Sequence, residues 1–302
     1  MIELILAALA IPFVCGLAVL AVRRPAAAAW FNLCGSLLTS ATLFWIVRRF
    51  VAQGSFHQGG FMLDALNVLF LLIVAVLSLT AALYSVPYMA HELRDGHLTE
   101  KMIPRYFFLF QFFVLTMILT LMMENLGLLW VAVEATTLVS ALLVAFSLNR
   151  SSLEAAWKYV MVCSVGIAMA LLGTILLYYA QVQAGYTDVQ PLGWFALSEN
   201  AFLFNPALVK LSAMFILIGY GTKAGLAPMH TWLPDAHSQA PTPVSGLLSG
   251  ALLSVAMYAI ARNLAVFNLL PSVGQVTGQL LVGFGLLSIG IAVPFLLLQH
   301  DI

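Results

Sequence analysis

Nine apolar runs follow one another along the chain, at residues 2–22, 28–47, 62–89, 105–123, 126–147, 154–180, 207–226, 243–265 and 275–298. A helix needs about 20 apolar residues to cross the hydrocarbon core of a bilayer. Backbone polar groups in lipid must find partners within the spanning structure, so only helices and closed barrels cross. Continuous rather than alternating hydrophobicity selects helices. The chain is therefore expected to be all-α, a polytopic membrane helix bundle of about nine transmembrane helices, with the lipid bilayer as its main solvent. Of the 302 residues, 63% are hydrophobic and 8% charged, and formal net charge is zero. Basic residues stand singly or in pairs, which argues against nucleic acid as a partner.

The first run, MIELILAALAIPFVCGLAVLAV, has an acidic start and is too long for a signal-peptide core, so it reads as a retained first span. Two connections are long: 90–104, which holds most of the loop charge, and 181–206, where Trp194 and several Phe residues mix with Asp188, Glu199 and turn formers, as in an interfacial segment. Arg23, Arg24, Arg94, Lys101, Arg105 and Arg150 fall on one set of alternate loops, against Arg48, Arg49, Lys210 and Arg262 on the other. That bias favours an outside N-terminus. Cys15, Cys34 and Cys163 are isolated within apolar runs and read as buried packing residues.

A charge at mid-bilayer costs about 2.5–3.5 kcal/mol on insertion scales, so each one retained there faces protein or water. Glu134 lies in the fifth run with Thr136, Thr137 and Ser140 near it at helical spacing. It reads either as a structural bond between helices or as a proton or ion site. Lys223 lies among Gly219, Gly221, Gly225 and Pro228, which weaken the helix around it. Irregular backbone at membrane depth survives only where protein packs on it or it lines a wet cavity, and interrupted helices point to transport sites. The seventh helix is therefore expected to be broken at Gly221, Gly225 and Pro228.

His230, Asp235 and His237 follow the break. Their Pro-rich spacing lacks the i, i+4 geometry of a helical metal pair, so a proton relay or cavity wall is the expected role, with no metal site. Lys158 stands four residues after Glu154, about one turn inside the sixth run, and either points inward or snorkels to the interface. Asp64, Glu124 and Arg262 sit at span ends as caps or anchors. No GxGxxG, P-loop or haem-clamping histidine pair is present, so redox cofactors, if the protein serves a redox enzyme, are expected on other subunits.

The segments FMLDALNVLFLL (61–72), YFFLFQFFVLTMILTLMMENLGLLWVAVEA (106–135), LEAAWKYVMVCSVG (153–166) and GTKAGLAPMHTWLPDAHSQAPTPVSGLLSGALLSVAMYAIAR (221–262) resemble the antiporter-like, proton-conducting subunits of respiratory complex I, membrane-bound nickel-iron hydrogenases and multisubunit Na+/H+ antiporters. WVAVEATTL, LEAAWKY and TKAGLAPMHTWLPDAHSQAPTPVS are most similar to the F-chain branch of hydrogenase-4. The resemblance implies a proton path whose input half is Glu134 and Lys223. An onward lysine or histidine is expected on the eighth helix, where this chain has Ser254, or Ser249 in another register; His230 and His237 are candidate substitutes. The implied organisation is helices 1–3 with a charged loop over 1–104, one complete five-helix antiporter-like repeat (helices 4–8) over 105–265, and an incomplete second repeat over 266–302.

The function implied is proton, or Na+, translocation in a redox-driven complex of hydrogenase-4 or complex I (NADH-quinone oxidoreductase) type, in a bacterial or archaeal cytoplasmic membrane. The chain itself would hold no cofactor; iron–sulfur with nickel–iron or flavin would sit on partner subunits and a soluble redox arm. Two alternatives stay open: a subunit of a multisubunit Na+/H+ antiporter without redox chemistry, and a truncated scaffold that conducts nothing. In the conducting readings Lys223 and Glu134 form a pair whose approach favours the ammonium and whose separation releases the proton.

Overall fold

The computed structural model describes residues 1–185 and 191–298. In chain order the elements are α1 (Ile2–Val19), α2 (Pro25–Gln53), the hairpin β1 (Phe56–Gln58) and β2 (Phe61–Leu63), α3 (Ala65–Arg94), α4 (Met102–Met122), α5 (Leu126–Val144), α6 (Arg150–Gln183), α7 (Trp194–Asn200), α8 (Pro206–Ala224), α9 (Leu233–Gln239), α10 (Thr242–Leu247), α11 (Leu253–Phe267) and α12 (Pro271–Leu298). A π-helical turn over Leu248–Leu252 joins α10 to α11 into one continuous rod. Among the described residues, eight helices are long and apolar enough to cross a membrane, the α10–α11 rod counting as one. The interrupted α8 is the ninth apolar segment. This is an integral membrane protein built as an all-α bundle.

Helix starts are set by local chemistry. Asp64 and Asn67 form a reciprocal capping box at α3, and Asn125, Asn149 and Asn205 cap α5, α6 and α8 through their side-chain oxygens. Pro25 and Pro206 occupy first-turn positions that need no N–H. Gly225, at φ +75°, closes α8 in the left-handed conformation that glycine adopts without strain.

Small residues bring α6 and α8 together: a Cβ at Gly166 would lie 2.6 Å from Thr222, one at Gly173 2.8 Å from the Ser212 carbonyl, and one at Gly219 2.5 Å from the Ala170 nitrogen. Without a hydrophobic drive between helices in lipid, such close backbone contact supplies the packing energy. Large apolar side chains such as Trp30, Leu142, Trp157 and Val165 point outward, as lipid-facing residues do, and Val282, Leu286, Ile289 and Leu297 leave much of α12 uncovered.

Three expectations shift. The charged loop shortens to residues 95–101, because α3 continues to Arg94 and α4 begins at Met102 rather than 105. The second long connection carries a short helix, α7, while Asp188 lies outside the described residues. Of the cysteines only Cys163 is buried; Cys34 is exposed on α2 and Cys15 is intermediate.

Candidate functional site: a buried lysine at a broken helix

Lys223 occupies the last turn of α8 and is fully buried. Its Nζ donates to Thr137 Oγ1 on α5 at 3.0 Å and to the Tyr159 hydroxyl on α6, and it stands 4.7 Å from the centroid of the Tyr159 ring. Tyr159 shares a second hydrogen bond, 2.7 Å long, with Ser140 Oγ, which in turn donates to the Thr136 carbonyl at 2.6 Å. An ammonium only donates, so Tyr159 accepts from it and turns its own proton to Ser140. The result is a polarised chain, Lys223 to Tyr159 to Ser140 to the α5 backbone, in which each bond strengthens the next. Thr136, Thr137 and Ser140 thus face the interior, as their spacing implied.

Glu134, one turn before Thr137 on α5, is half-buried. Its Oε1 accepts from Ser164 Oγ of α6 at 3.1 Å, and its Oε2 is buried with no hydrogen-bond partner. Among the described residues neither Glu134 nor Lys223 has an ion-pair partner. The two charged groups therefore sit on the same side of α5, each held by hydroxyls and separated from the other.

The break itself is well supplied with hydrogen bonds. Leu226 N–H donates to the Gly221 carbonyl at 2.9 Å, and Gly225 N–H to the Thr222 carbonyl at 3.2 Å. The same Thr222 oxygen accepts the indole N–H of Trp232 at 2.9 Å, and Ala227 N–H donates to Ser288 Oγ of α12 at 3.0 Å. Trp232 is buried, with its ring 4.7 Å from that of Tyr159. One aromatic residue therefore both satisfies the opened backbone and walls the lysine pocket. Gly221 and Gly225 lie within this turn, and Pro228 on its exposed edge.

The remaining candidates lie elsewhere. His230 is half-buried with Nδ1 unpartnered, and His237 Nδ1 is 3.1 Å from Ser245 Oγ. Lys158 does not point inward: its side chain is 52% exposed and bonds Glu154 and Asp235, each at 2.9 Å, in an open cluster at the head of α6. Asp235 is thereby tied to that cluster rather than to Lys223. Ser254 Oγ donates to the Gly250 carbonyl of its own helix at 2.7 Å, and Ser249 is exposed and bonded to the Ser245 carbonyl. The π turn between α10 and α11 changes the side-chain phase between Ser249 and Ser254. Tyr159, Ser164, Trp232 and Ser288 were not anticipated: Tyr159, Ser164 and Ser288 have no charged residue one helical turn away on their own run that marks a polar face, and Trp232 lies between runs.

At the opposite ends of these helices Arg262 forms a two-pronged pair with Asp64, at 2.6 and 2.9 Å, and lies between Trp194 and Tyr258. It fastens α11 to the start of α3.

An integral membrane bundle with a buried lysine at a helix break is the class that this geometry defines. The family model described as NADH:quinone oxidoreductase/Mrp antiporter, TM, matches residues 123–302, and that described as NADH-Ubiquinone oxidoreductase (complex I), chain 5 N-terminus, matches 53–107. The chain belongs to the NADH:quinone oxidoreductase/Mrp antiporter family of membrane proteins. It is 39% identical to a hydrogenase-4 component F homolog of Methylacidiphilum infernorum over 90% of this chain and 56% of the relative. It is 30% identical to NADH-quinone oxidoreductase subunit N of Moorella thermoacetica over 76% and 45%. Its fold matches a chain of a membrane-bound sulfane sulfur reductase, an archaeal respiratory membrane complex, with TM-score 0.78 at 22% identity, covering 93% of this chain and 56% of that one. It also matches a chain of respiratory complex I from Thermus thermophilus, with TM-score 0.66 at 25% identity, covering 84% and 52%. The chain thus spans about half the length of these relatives.

Proposed function

We propose that this chain translocates protons as a membrane subunit of a redox-driven complex of the hydrogenase-4 or complex I type, with Lys223 as the group that carries the proton. The observation that supports this reading most is the fully buried Lys223 Nζ at a helix break, held by two neutral hydroxyls, with a carboxylate of free hydrogen-bonding capacity on the adjoining turn. Ordinary structural lysines at membrane depth pair or reach for the interface.

In this mechanism Glu134 Oε2 is the open end of the input. A proton reaching it passes to Lys223 when the neutral amine leaves Thr137 and its side chain reaches back one turn of α5 to Glu134. The ammonium then returns to Thr137 and Tyr159, and Tyr159 with Ser140 orients it for onward release. Moving one charge against 100 mV requires about 2.3 kcal/mol, so a coupled reaction must drive the cycle. That reaction falls to partner subunits: other membrane chains and a soluble arm with iron–sulfur and nickel–iron or flavin groups. Na+/H+ exchange without redox chemistry is the second reading, favoured by the Mrp antiporter part of the family description.

Lys223→Ala in the native assembly, reconstituted in vesicles, is expected to abolish proton uptake while the subunit still assembles. Undiminished uptake would sink the proposal. Metal analysis of the assembly separates the two readings: iron, with nickel or flavin, goes with the redox complex, and a metal-free assembly with the antiporter.

A further inference from the structure

Two cavities lie near the end of α1 and the start of α4, on the basic face of the bundle. The first, of about 480 Å³, is open to that face and lined by Leu20, Val22, Arg23, Lys101, Pro104 and Arg105, with Glu100 at its rim. It holds three cations against one carboxylate. Among the described residues none of the three cations lies within ion-pair distance of an acid. The second cavity, of about 290 Å³, is apolar and runs between the start of α2 and the end of α3, with Trp30, Met89, Leu93 and Ile103 in its wall. The two are neighbours through the chain itself, since Arg23 and Pro104 line the first and Pro25 and Ile103 the second.

We infer that this paired cavity is a site for an anionic phospholipid, its phosphate held by Arg23, Lys101 and Arg105 and one acyl chain laid against Trp30, Ala90 and Leu93. Three observations carry the assignment. Three cations that pair with no acid among the described residues converge on one opening, and Arg presents a fork that matches phosphate. The opening lies at the ends of two helices of membrane-spanning length, α1 and α4, and basic pockets between such helix ends recognise lipid headgroups. An apolar slot is lined by chain neighbours of the charged one, Pro25 beside Arg23 and Ile103 beside Pro104, which suits a molecule with an anionic head and a hydrocarbon tail and suits a free anion poorly. Trp30, 60% exposed, is placed as aromatic residues are at the headgroup level.

Such a lipid would bridge the ends of α1, α2, α3 and α4, the part of the bundle outside the helices that carry Lys223, and so act as an anchor that holds the subunit at a fixed depth. The role is separate from proton transfer and does not depend on it.

The test is native mass spectrometry of the intact assembly, delipidated in detergent and titrated with phosphatidylglycerol or with phosphatidylcholine. Wild type is expected to retain phosphatidylglycerol in clear preference. The triple variant Arg23→Gln, Lys101→Gln, Arg105→Gln should lose about fivefold in affinity for each cation removed. A second variant, Ala90→Trp, fills the apolar slot from its exposed wall with all charges kept, and should weaken the lipid while leaving the assembly intact. Equal retention of both lipids, or equal retention by wild type and both variants, overturns the site. Displacement of the lipid by millimolar inorganic phosphate alone would mark a free-anion site and overturn the lipid assignment.

Discussion

Trp232 donates its indole N–H to the carbonyl oxygen of Thr222, 2.9 Å away, and so caps the backbone one residue before the buried lysine. Breaking a helix inside a membrane frees carbonyls that lipid cannot satisfy, and here a side chain from beyond the break returns to meet one. Trp232→Phe keeps the ring on Tyr159 and removes only the donor. Because Gly225 N–H still reaches the Thr222 oxygen at 3.2 Å, the expected loss is modest, about 1 kcal/mol in thermal stability. Proton flux in vesicles should fall further than that cost alone implies, because the turn carrying Lys223 loosens. Unchanged flux would mean that the cap serves stability only.

Tyr159 links the ammonium of Lys223 to Ser140, so its hydroxyl orients the proton without itself being an end point. Tyr159→Phe leaves Ser140 bonded to the Thr136 carbonyl and Lys223 bonded to Thr137. The subunit should assemble normally, and translocation should drop by about tenfold or more, the effect of losing one hydrogen bond to a charged group of about 1.5–3 kcal/mol. Assembly and flux measured on the same preparation check this; a variant with full flux removes Tyr159 from the path.

Glu134→Gln keeps an oxygen for Ser164 Oγ and removes the charge. If Glu134 feeds Lys223, the variant should slow proton uptake strongly while the subunit still assembles. Full uptake in the Glu134 variant would mean that the proton reaches Lys223 by another route.

How much of this was visible in the sequence depends on what each residue's signal rests on. The spans were, because apolar runs of bilayer length have few other readings, and so was the broken helix, because lysine, glycine and proline within one run are each costly there. The exposed cluster was half visible: Glu154 and Lys158 at i, i+4 suggest a pair, but the carboxylate of Asp235, from a segment 77 residues away, decides between the two directions open to Lys158 and holds it outward. Tyr159 was hidden because an aromatic residue in an apolar run ordinarily means packing, and Trp232 because it lies in a Pro-rich connection whose return to the helix break has no local signal. The separation of Glu134 from Lys223 was hidden too, since it depends on hydroxyls from α5 and α6 that hold each charge where it is.

Asp64 supplies a check on pH. Burial alone would raise its pKa, but the Arg262 hydrogen bonds and the Asn67 amide outweigh burial and hold the carboxyl below its ordinary range. A folded-state pKa below the unfolded value stabilises fully above the unfolded value and loses that contribution as pH falls through the folded one. Thermal stability should therefore be steady near neutrality and decline below the usual carboxylate range. Asp64→Asn keeps a capping oxygen for α3 and should remove this part of the acid decline, at a cost of about 1–2 kcal/mol near neutral pH. An identical pH profile in both proteins would show that the pair does not contribute.

Gly219 and Gly246 make a matched test of the α6–α8 contact. A Cβ at Gly219 would lie 2.5 Å from the Ala170 nitrogen and 2.6 Å from the Gly166 carbonyl, both backbone atoms that cannot yield locally, whereas one at Gly246 meets nothing within 4 Å. Gly219→Ala must push the two helices apart, at a cost of about 1–3 kcal/mol, and in doing so draw Lys223 on α8 away from Tyr159 on α6. Gly246→Ala, in α10, should be neutral or slightly stabilising, since alanine favours a helix over glycine by about 1 kcal/mol. Thermal unfolding in detergent, with proton flux from the same samples, should show the first variant losing both stability and flux and the second losing neither. Equal behaviour would mean that α6 and α8 tolerate separation, and that the lysine pocket does not depend on their close approach.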